Sequence, residues 1–384
     1  METKIAITSF SSFSPLGDNA AQIWENYLNP KTLIKLKKVG KNNVLIASIS
    51  LELKRKVTAL KKSDSKYKSL DDTVLFSILA SRQAVKTANW NSNDIFGINI
   101  GSSRGATKLF EKHHSEFLKT GISQTLSSPT TTLGNISSWV SHDLQSNGPE
   151  ISHSITCSTA LHSLLNGIAW LKSGMATKFL VGGSEAPLTA FTIAQMQSLK
   201  IYASNQDEYP CKASDLSKKN NTMVIGEGAA VICLDINQTQ KALAYITGIG
   251  YATEVLEHNI SISTEAECFK KSIKMALGNM HPSEIDVIIT HTPGTIKGDK
   301  SELRAIQKVF QNNMPLLTNN KWKIGHTFGT SGMLSVEMAI LMLQHNTFIH
   351  LPFNNHKKQT KDLKNIMVNA VGFGGNAVSV VISI

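Results

Sequence analysis

From Ile5 to Ile384 short β-type runs alternate with amphipathic helical runs. That alternation restricts the chain to an α/β fold whose sheets are covered by helices. Strands are predicted at Ile5–Thr8, Ile95–Ile100, Phe179–Val181, Ala230–Leu234, Ile285–Ile289 and Val378–Ile384. Helices are predicted at Asp72–Thr87, Thr159–Lys172, Ala266–Leu277, Glu302–Phe310 and Met333–Gln344. In the second of these helices Leu161, Leu164, Leu165, Ile168 and Leu171 recur at helical spacing, so one face should be buried.

The chain is also weakly similar to itself. Gly226-Glu-Gly228-Ala-Ala-Val231 runs into a strand, and Gly372-Phe-Gly374-Gly375-Asn-Ala-Val378 does the same near the C-terminus. Each follows a helix, a strand and a polar loop. Two related halves, 1–240 and 241–384, fit this better than one continuous sheet, and the period is far too long for a solenoid.

Composition narrows the function. The 384 residues are 41% apolar and 17% charged, enough for two or three structural units with a large core and too little charge for disorder or coiled coil. No run approaches the ~18 apolar residues of a membrane span. The first residues lead into a strand pattern without an apolar leader, so a cytosolic protein is expected. The formal charge of +11 implies an acidic partner. Nucleic acid is disfavoured: zinc-type Cys/His spacing, a basic heptad region and an aromatic-rich basic strand are all missing from the sequence. Basic residues concentrate at Lys35, Lys37, Lys38 and Lys41, then at Lys54, Arg55, Lys56, Lys61, Lys62, Lys66 and Lys68. Such a cluster is either a solvated helix face or a docking surface for an acidic protein.

Of the four cysteines, none forms a C-x-x-C pair. Cys233 reads as strand core, Cys268 lies on a helical pattern and Cys211 follows Pro210 in a polar loop. Cys157 is different: a short apolar approach ends on it and a helix begins at once. A thiol there meets the positive end of the helix dipole and unpaired N–H groups, which favour thiolate. The alternative is a small buried hydrophobe, the usual fate of free cysteine. Two histidines bear on the choice. His291 ends a strand and opens H-T-P-G-T, and His326 lies in the Gly-rich turn K-W-K-I-G-H-T-F-G-T-S-G before a helix. Active-site groups concentrate at such ends.

Taken together these segments resemble the β-ketoacyl-acyl-carrier-protein synthases of the thiolase superfamily, in the decarboxylating Cys-His-His branch. The nucleophile segment is matched by Ile155-Thr-Cys157-Ser-Thr159, and A-G-G-x-E-A by Val181-Gly-Gly-Ser-Glu-Ala186. Gly226–Ala229 matches G-E-G-A. His291-Thr-Pro-Gly-Thr295 with Gly298, Asp299 and Glu302 matches H-G-T-G-T…G-D-x-x-E. Lys321 to His326 matches K-x-x-x-G-H, and Gly372–Asn376 nearly keeps the closing G-F-G-G-x-N. Six weak elements in order across almost the whole chain make a strong set.

The resemblance implies a thiolase fold, five-layered α-β-α-β-α, built from two pseudo-equivalent halves. It implies that Cys157 takes an acyl group from an acyl carrier protein. His291 and His326 would then hydrogen-bond the malonyl thioester oxygen during decarboxylation, and Lys321 would tune the site. The N–H groups of Cys157 and Phe373 would form an oxyanion hole, and Thr295, Phe373 and Gly374 would contact substrate. Asp299, Glu302 and Glu337 would be structural, and Lys61, Lys62, Lys66 and Lys68 would face the acidic carrier. No metal or redox cofactor is implied, no membrane and no nucleic acid. A homodimer or a heterodimer with a related ketosynthase is implied.

The sequence also departs from the pattern. Pro293 removes a hydroxyl that relatives aim at the pantetheine, Val371 replaces an aromatic residue, and Glu337 stands later than the usual glutamate. Tyr209-Pro-Cys-Lys-Ala replaces R-P-F-D. The small size and the K-W-K-I-G-H-T-F-G wording resemble ketosynthases of bacterial pigment clusters, the aryl polyene or flexirubin type. A non-catalytic chain-length-factor-like partner would typically lack the nucleophile. A degradative thiolase would want a second cysteine after Cys268, and a priming ketosynthase an asparagine in place of His326.

Overall fold

The computed structural model describes residues 4–384 other than 92, 134, 238, 257–261 and 354–360. Ten strands carry the architecture: β1 (Ile5–Phe13), β2 (Gly97–Gly101), β3 (Glu150–Ile151), β4 (Lys178–Glu185), β5 (Gly228–Asp235), β6 (Ala244–Thr253), β7 (Val287–Ile289), β8 (Leu316–Thr318), β9 (Asn365–Gly372) and β10 (Asn376–Ser383). Their order is β8-β7-β9-β10-β6-β1-β5-β4-β2-β3. Read outward from the centre, each half has the same sequence of strands. In both, the innermost two pairings are antiparallel and the outer two parallel.

The halves are not separate sheets. Ile5, Ala6 and Ile7 pair with Ile246, Tyr245 and Ala244, which joins β1 to β6. The sequence set two halves against one continuous sheet, and the hydrogen bonding corrects that opposition. Both inner edges would otherwise leave backbone N–H and C=O groups open. A small three-stranded sheet (Lys35–Val39, Asn42–Ala47 and Ile225–Gly226) lies apart from the main one.

Eight helices matter for the site: α1 (Leu51–Ser63), α2 (Asp72–Thr87), α3 (Thr107–Thr120), α4 (Thr159–Lys172), α5 (Ala190–Ser198), α6 (Glu267–Leu277), α7 (Ile296–Phe310) and α8 (Ser331–Gln344). The central layer is α4 and α8, which touch each other and strands of both halves. Position explains sequence here. α4 leaves one mixed face partly open, with His162, Asn166, Ala169 and Lys172 on it, whereas α8 is buried on every side and reads S-G-M-L-S-V-E-M-A-I-L-M-L-Q. Outside the sheet, α2 covers β1, β5 and β4, and α6 covers β6 and β10 with α7 beside it. The result is five layers, α-β-α-β-α.

Several predicted boundaries move, and two of the shifts have a visible local cause. The strand near Ile95 begins at Gly97, because Ile95 is exposed. The helix near Glu302 begins at Ile296, because Thr295 caps it by accepting the Gly298 N–H at 3.2 Å.

Candidate active site

Cys157 stands in a 3-10 turn, Thr156–Ser158, which feeds directly into α4. Short local bonds fix the turn. The Thr159 hydroxyl donates to the Thr156 carbonyl at 2.6 Å and accepts the Ile155 N–H at 2.9 Å. Thr156 is held at φ +46°, a left-handed conformation that costs a non-glycine residue energy. The C-terminal loop crosses this turn at Gly372. A Cβ there would lie 1.9 Å from Thr156 Oγ1 and 2.7 Å from the Ile155 carbonyl, so only glycine fits. Phe373 follows and faces the same cavity as Cys157.

The other half repeats the construction, with a 3-10 turn at Phe328–Thr330 leading into α8. Phe328 is at φ +44°, matching Thr156, and Gly329 stands where Cys157 stands. His326 precedes that turn, its N–H donating to the Val224 carbonyl at 2.6 Å. His291 follows β7. Glu302 accepts the His291 N–H at 2.9 Å and the Thr292 N–H at 2.7 Å, and takes Asn369 Nδ2 at 3.2 Å. Lys321 Nζ donates to the Thr290 carbonyl at 3.3 Å. Asp299 braces the next loop, accepting from Gly294 N (3.0 Å), Ser214 N (2.9 Å) and Lys218 Nζ (2.7 Å). Through these bonds the H-T-P-G-T segment becomes a rigid mount for one imidazole.

Cys157, His291, His326, Thr295 and Phe373 therefore line one cavity between the halves. The imidazole centroids are 5.3 Å apart and the rings perpendicular. Both rings are buried. Burial and the Lys321 cation push His326 down to about 3, and burial, His326 and Lys321 hold His291 well below its usual range. Both are neutral at neutral pH, each with one N–H to donate and one bare nitrogen. Their Nδ1 atoms have no hydrogen-bond partner among the described residues. Burial lowers Lys321 and raises Glu302, while each draws the other towards its charged form.

The thiol corrects a sequence expectation. Burial and the nearby Glu185 carboxylate push Cys157 up to about 12, although Lys321, Arg104 and its own N–H pull it down. The helix terminus favours thiolate, but in this dry pocket desolvation outweighs it. The resting group is a thiol.

Other predicted site residues are more scattered. Gly374 is exposed in the β9–β10 turn at φ +94° and does not line the cavity. Glu337 is buried on α8 beside Tyr27 and Ser12, away from the cavity lining. Lys61 and Lys62 stand on α1, with Lys66 and Lys68 just after it. Lys61 pairs with Asp72 at 3.2 Å, Lys66 with Asp64 at 3.7 Å, and none of the four lines the cavity. The cavity's own lysine is Lys297, which sequence reasoning missed along with Met196, Met223, Phe269 and Phe328. Only Phe328 carried a signal, through its place two residues after His326.

Residues 2–240 match the family described as "Beta-ketoacyl synthase, N-terminal domain" and residues 243–353 "Beta-ketoacyl synthase, C-terminal domain". The chain belongs to the β-ketoacyl synthase family. This ketosynthase is 26% identical over 407 residues to 3-oxoacyl-[acyl-carrier-protein] synthase 2 of Staphylococcus aureus (strain COL), covering 98% of this chain and 97% of that one. Its fold is shared by the ishigamide ketosynthase/chain length factor, at TM-score 0.86, 17% identity and coverage of 100% and 99%. A type II PKS acyl-carrier protein in complex with its ketosynthase bound to the hexaketide gives the same four values. Among the described residues of the ketosynthase, no helix is long and apolar enough to cross a membrane.

Proposed function

We propose that the chain catalyses decarboxylative Claisen condensation between an acyl group on Cys157 and a malonyl-acyl carrier protein, giving a β-ketoacyl carrier protein. One observation carries the reading: a nucleophile from 1–240 and two neutral imidazoles from 241–384 line a common buried cavity. In the first half-reaction Cys157 Sγ attacks the thioester carbonyl. The C–S bond to the carrier breaks, and the carrier thiol leaves with the proton that Cys157 gives up. In the second, malonyl carrier enters and its carboxylate departs as CO2. The electron pair left behind forms an enolate, whose oxygen accepts hydrogen bonds from His291 and His326. The enolate carbon attacks the acyl-cysteine, the S–C bond breaks and the Cys157 thiol is restored on protonation.

Carbon dioxide loss generates the carbanion, so neutral donors suffice and no strong base is called for. Backbone N–H groups of Cys157 and Phe373 form the oxyanion hole, a device worth about 3–4 kcal/mol per donor. Lys321 and Glu302 hold the His291 segment, and Thr295 and Phe373 contact the incoming thioester arm. The pantetheine belongs to the partner, and the steps use no metal or redox group.

The carrier docks through its acidic surface, with Lys61, Lys62, Lys66 and Lys68 as the basic contact. Lys62 and Lys68 are exposed, with no ion pair among the described residues. We further infer a cytosolic dimer, either of two copies or with a related ketosynthase subunit. In a mixed dimer this chain takes the catalytic seat, since it retains Cys157, His291 and His326.

Intact-protein and peptide mass spectrometry after mixing with acyl carrier thioester should show the acyl group on Cys157, and malonyl carrier should then release a β-ketoacyl product. Cys157→Ala should show neither. Condensation surviving in that variant would overturn the reading.

A further inference from the structure

Strain marks one wall of the cavity. Phe328 is a buried aromatic at φ +44°, a conformation bulky side chains avoid and one that persists only where neighbours over-determine it. Its ring packs in an apolar cluster with Cys157, Ile193 and Met196, and its centroid is 5.6 Å from that of His326. Behind it lies a cation. The Arg104 guanidinium carbon sits 5.6 Å from the Phe328 centroid, and Arg104 also bonds Gln195 on α5, next to Met196. Its Nε is buried, with no hydrogen-bond partner among the described residues.

The backbone ties the same two residues together. Glu185 Oε1 accepts the Gly329 N–H at 3.0 Å, directly after Phe328. The same oxygen takes the Ser103 hydroxyl at 2.6 Å, directly before Arg104. Ring and guanidinium are thus fixed by a stack on one side and by a shared carboxylate on the other.

An acyl chain on Cys157 has to extend into apolar surroundings. Lys297 is an exposed, solvent-facing part of the lining, and the apolar direction is the cluster of Ile193, Met196 and Phe328. A chain that displaced the ring would press alkyl groups against a partly desolvated guanidinium, which burial of apolar matter penalises further. We propose that Phe328, stacked on Arg104, is the end-stop of the acyl site and sets the longest chain that Cys157 accepts. This rests on the reading that Cys157 is acylated.

The full-length protein is mixed with butanoyl-, octanoyl- and dodecanoyl-loaded carrier, and single-turnover acylation of Cys157 is followed by intact mass. The wild type should prefer butanoyl over dodecanoyl. That preference should fall by about tenfold or more in Phe328→Gly, which also relieves the left-handed strain. It should fall in Arg104→Met, which keeps an apolar stem and removes the charge. If Phe328→Gly does not fold, as judged by circular dichroism, Arg104→Met decides alone. An unchanged ratio in the folded variants, or a wild type indifferent to length, overturns the end-stop while leaving the condensing reading intact. Failure of every acyl group to reach wild-type Cys157 sinks that reading, and the end-stop with it.

Discussion

Glu185 is a fully buried carboxylate with no ion pair among the described residues, and it lies close enough to Cys157 to raise the thiol. One oxygen accepts from the Ser103 hydroxyl, Ser103 N and Gly329 N, and the other has no partner among the described residues. Geometry and charge can be separated at this residue. Glu185→Gln keeps a carbonyl oxygen to accept the same donors and removes the negative charge. The sign is fixed: without a neighbouring anion the Cys157 thiolate is easier to form, so its pKa falls. The pH profile of Cys157 alkylation by iodoacetamide should therefore move to lower pH, with several-fold faster alkylation at neutrality. A profile that stays in place would show that Glu185 acts on the turn alone and not on the sulfur.

At the scale of elements, legibility in the sequence followed local signals. Asp72–Thr87 and Thr159–Lys172 form helices over the ranges their patterns predict, the first capped by Asp71 accepting the Thr73 N–H at 2.9 Å. Cys157, His291, His326 and Lys321 were legible because each sits in a turn whose glycines and neighbours have a recognisable order. Strand β6 was not legible. Gly248 and Gly250 lie where α6 approaches its backbone, so the strand lacks an apolar alternation. Arg104 and Met196 were invisible for another reason: they meet Phe328 only once α5 and the turn before α8 have packed. α8 also contains the misfit of the central layer, Glu337, whose carboxylate burial pushes up to about 8 from an ordinary 4.5. Below about 4.5 both folded and unfolded chains hold the proton. Between there and about 8 only the unfolded chain releases it, so stability is lost as pH rises, by roughly 5 kcal/mol at most. Glu337→Gln carries no such penalty. Urea midpoints of the variant and the parent should diverge in the variant's favour from pH 5 to pH 9, and a constant difference would refute the buried neutral acid.

Among the described residues, the whole molecule leaves an apolar face open on α3. On α3 and the segment after it, Phe110 is 61% exposed, Leu118 70% and Ile122 70%, with Phe117 and Leu126 also uncovered. This segment leads through the Ser127–Thr131 and Asn135–Leu144 helices to β3, the two-residue edge of the ten-stranded sheet. Scattered apolar residues on a surface are ordinary, but five on one helix and the segment after it make a testable association site. The net charge of +11 opposes self-association at long range, so short-range apolar burial has to supply the attraction. A stable interface buries on the order of 1,600 Å² in total, and the open edge at β3 offers further surface for it. Replacing Phe110 and Leu118 together by lysine adds charge at the centre of that face without touching the core. Sedimentation velocity should show the parent as a dimer and the double variant as a monomer of unchanged secondary structure. A double variant that still sediments as a dimer would place the interface elsewhere on the molecule.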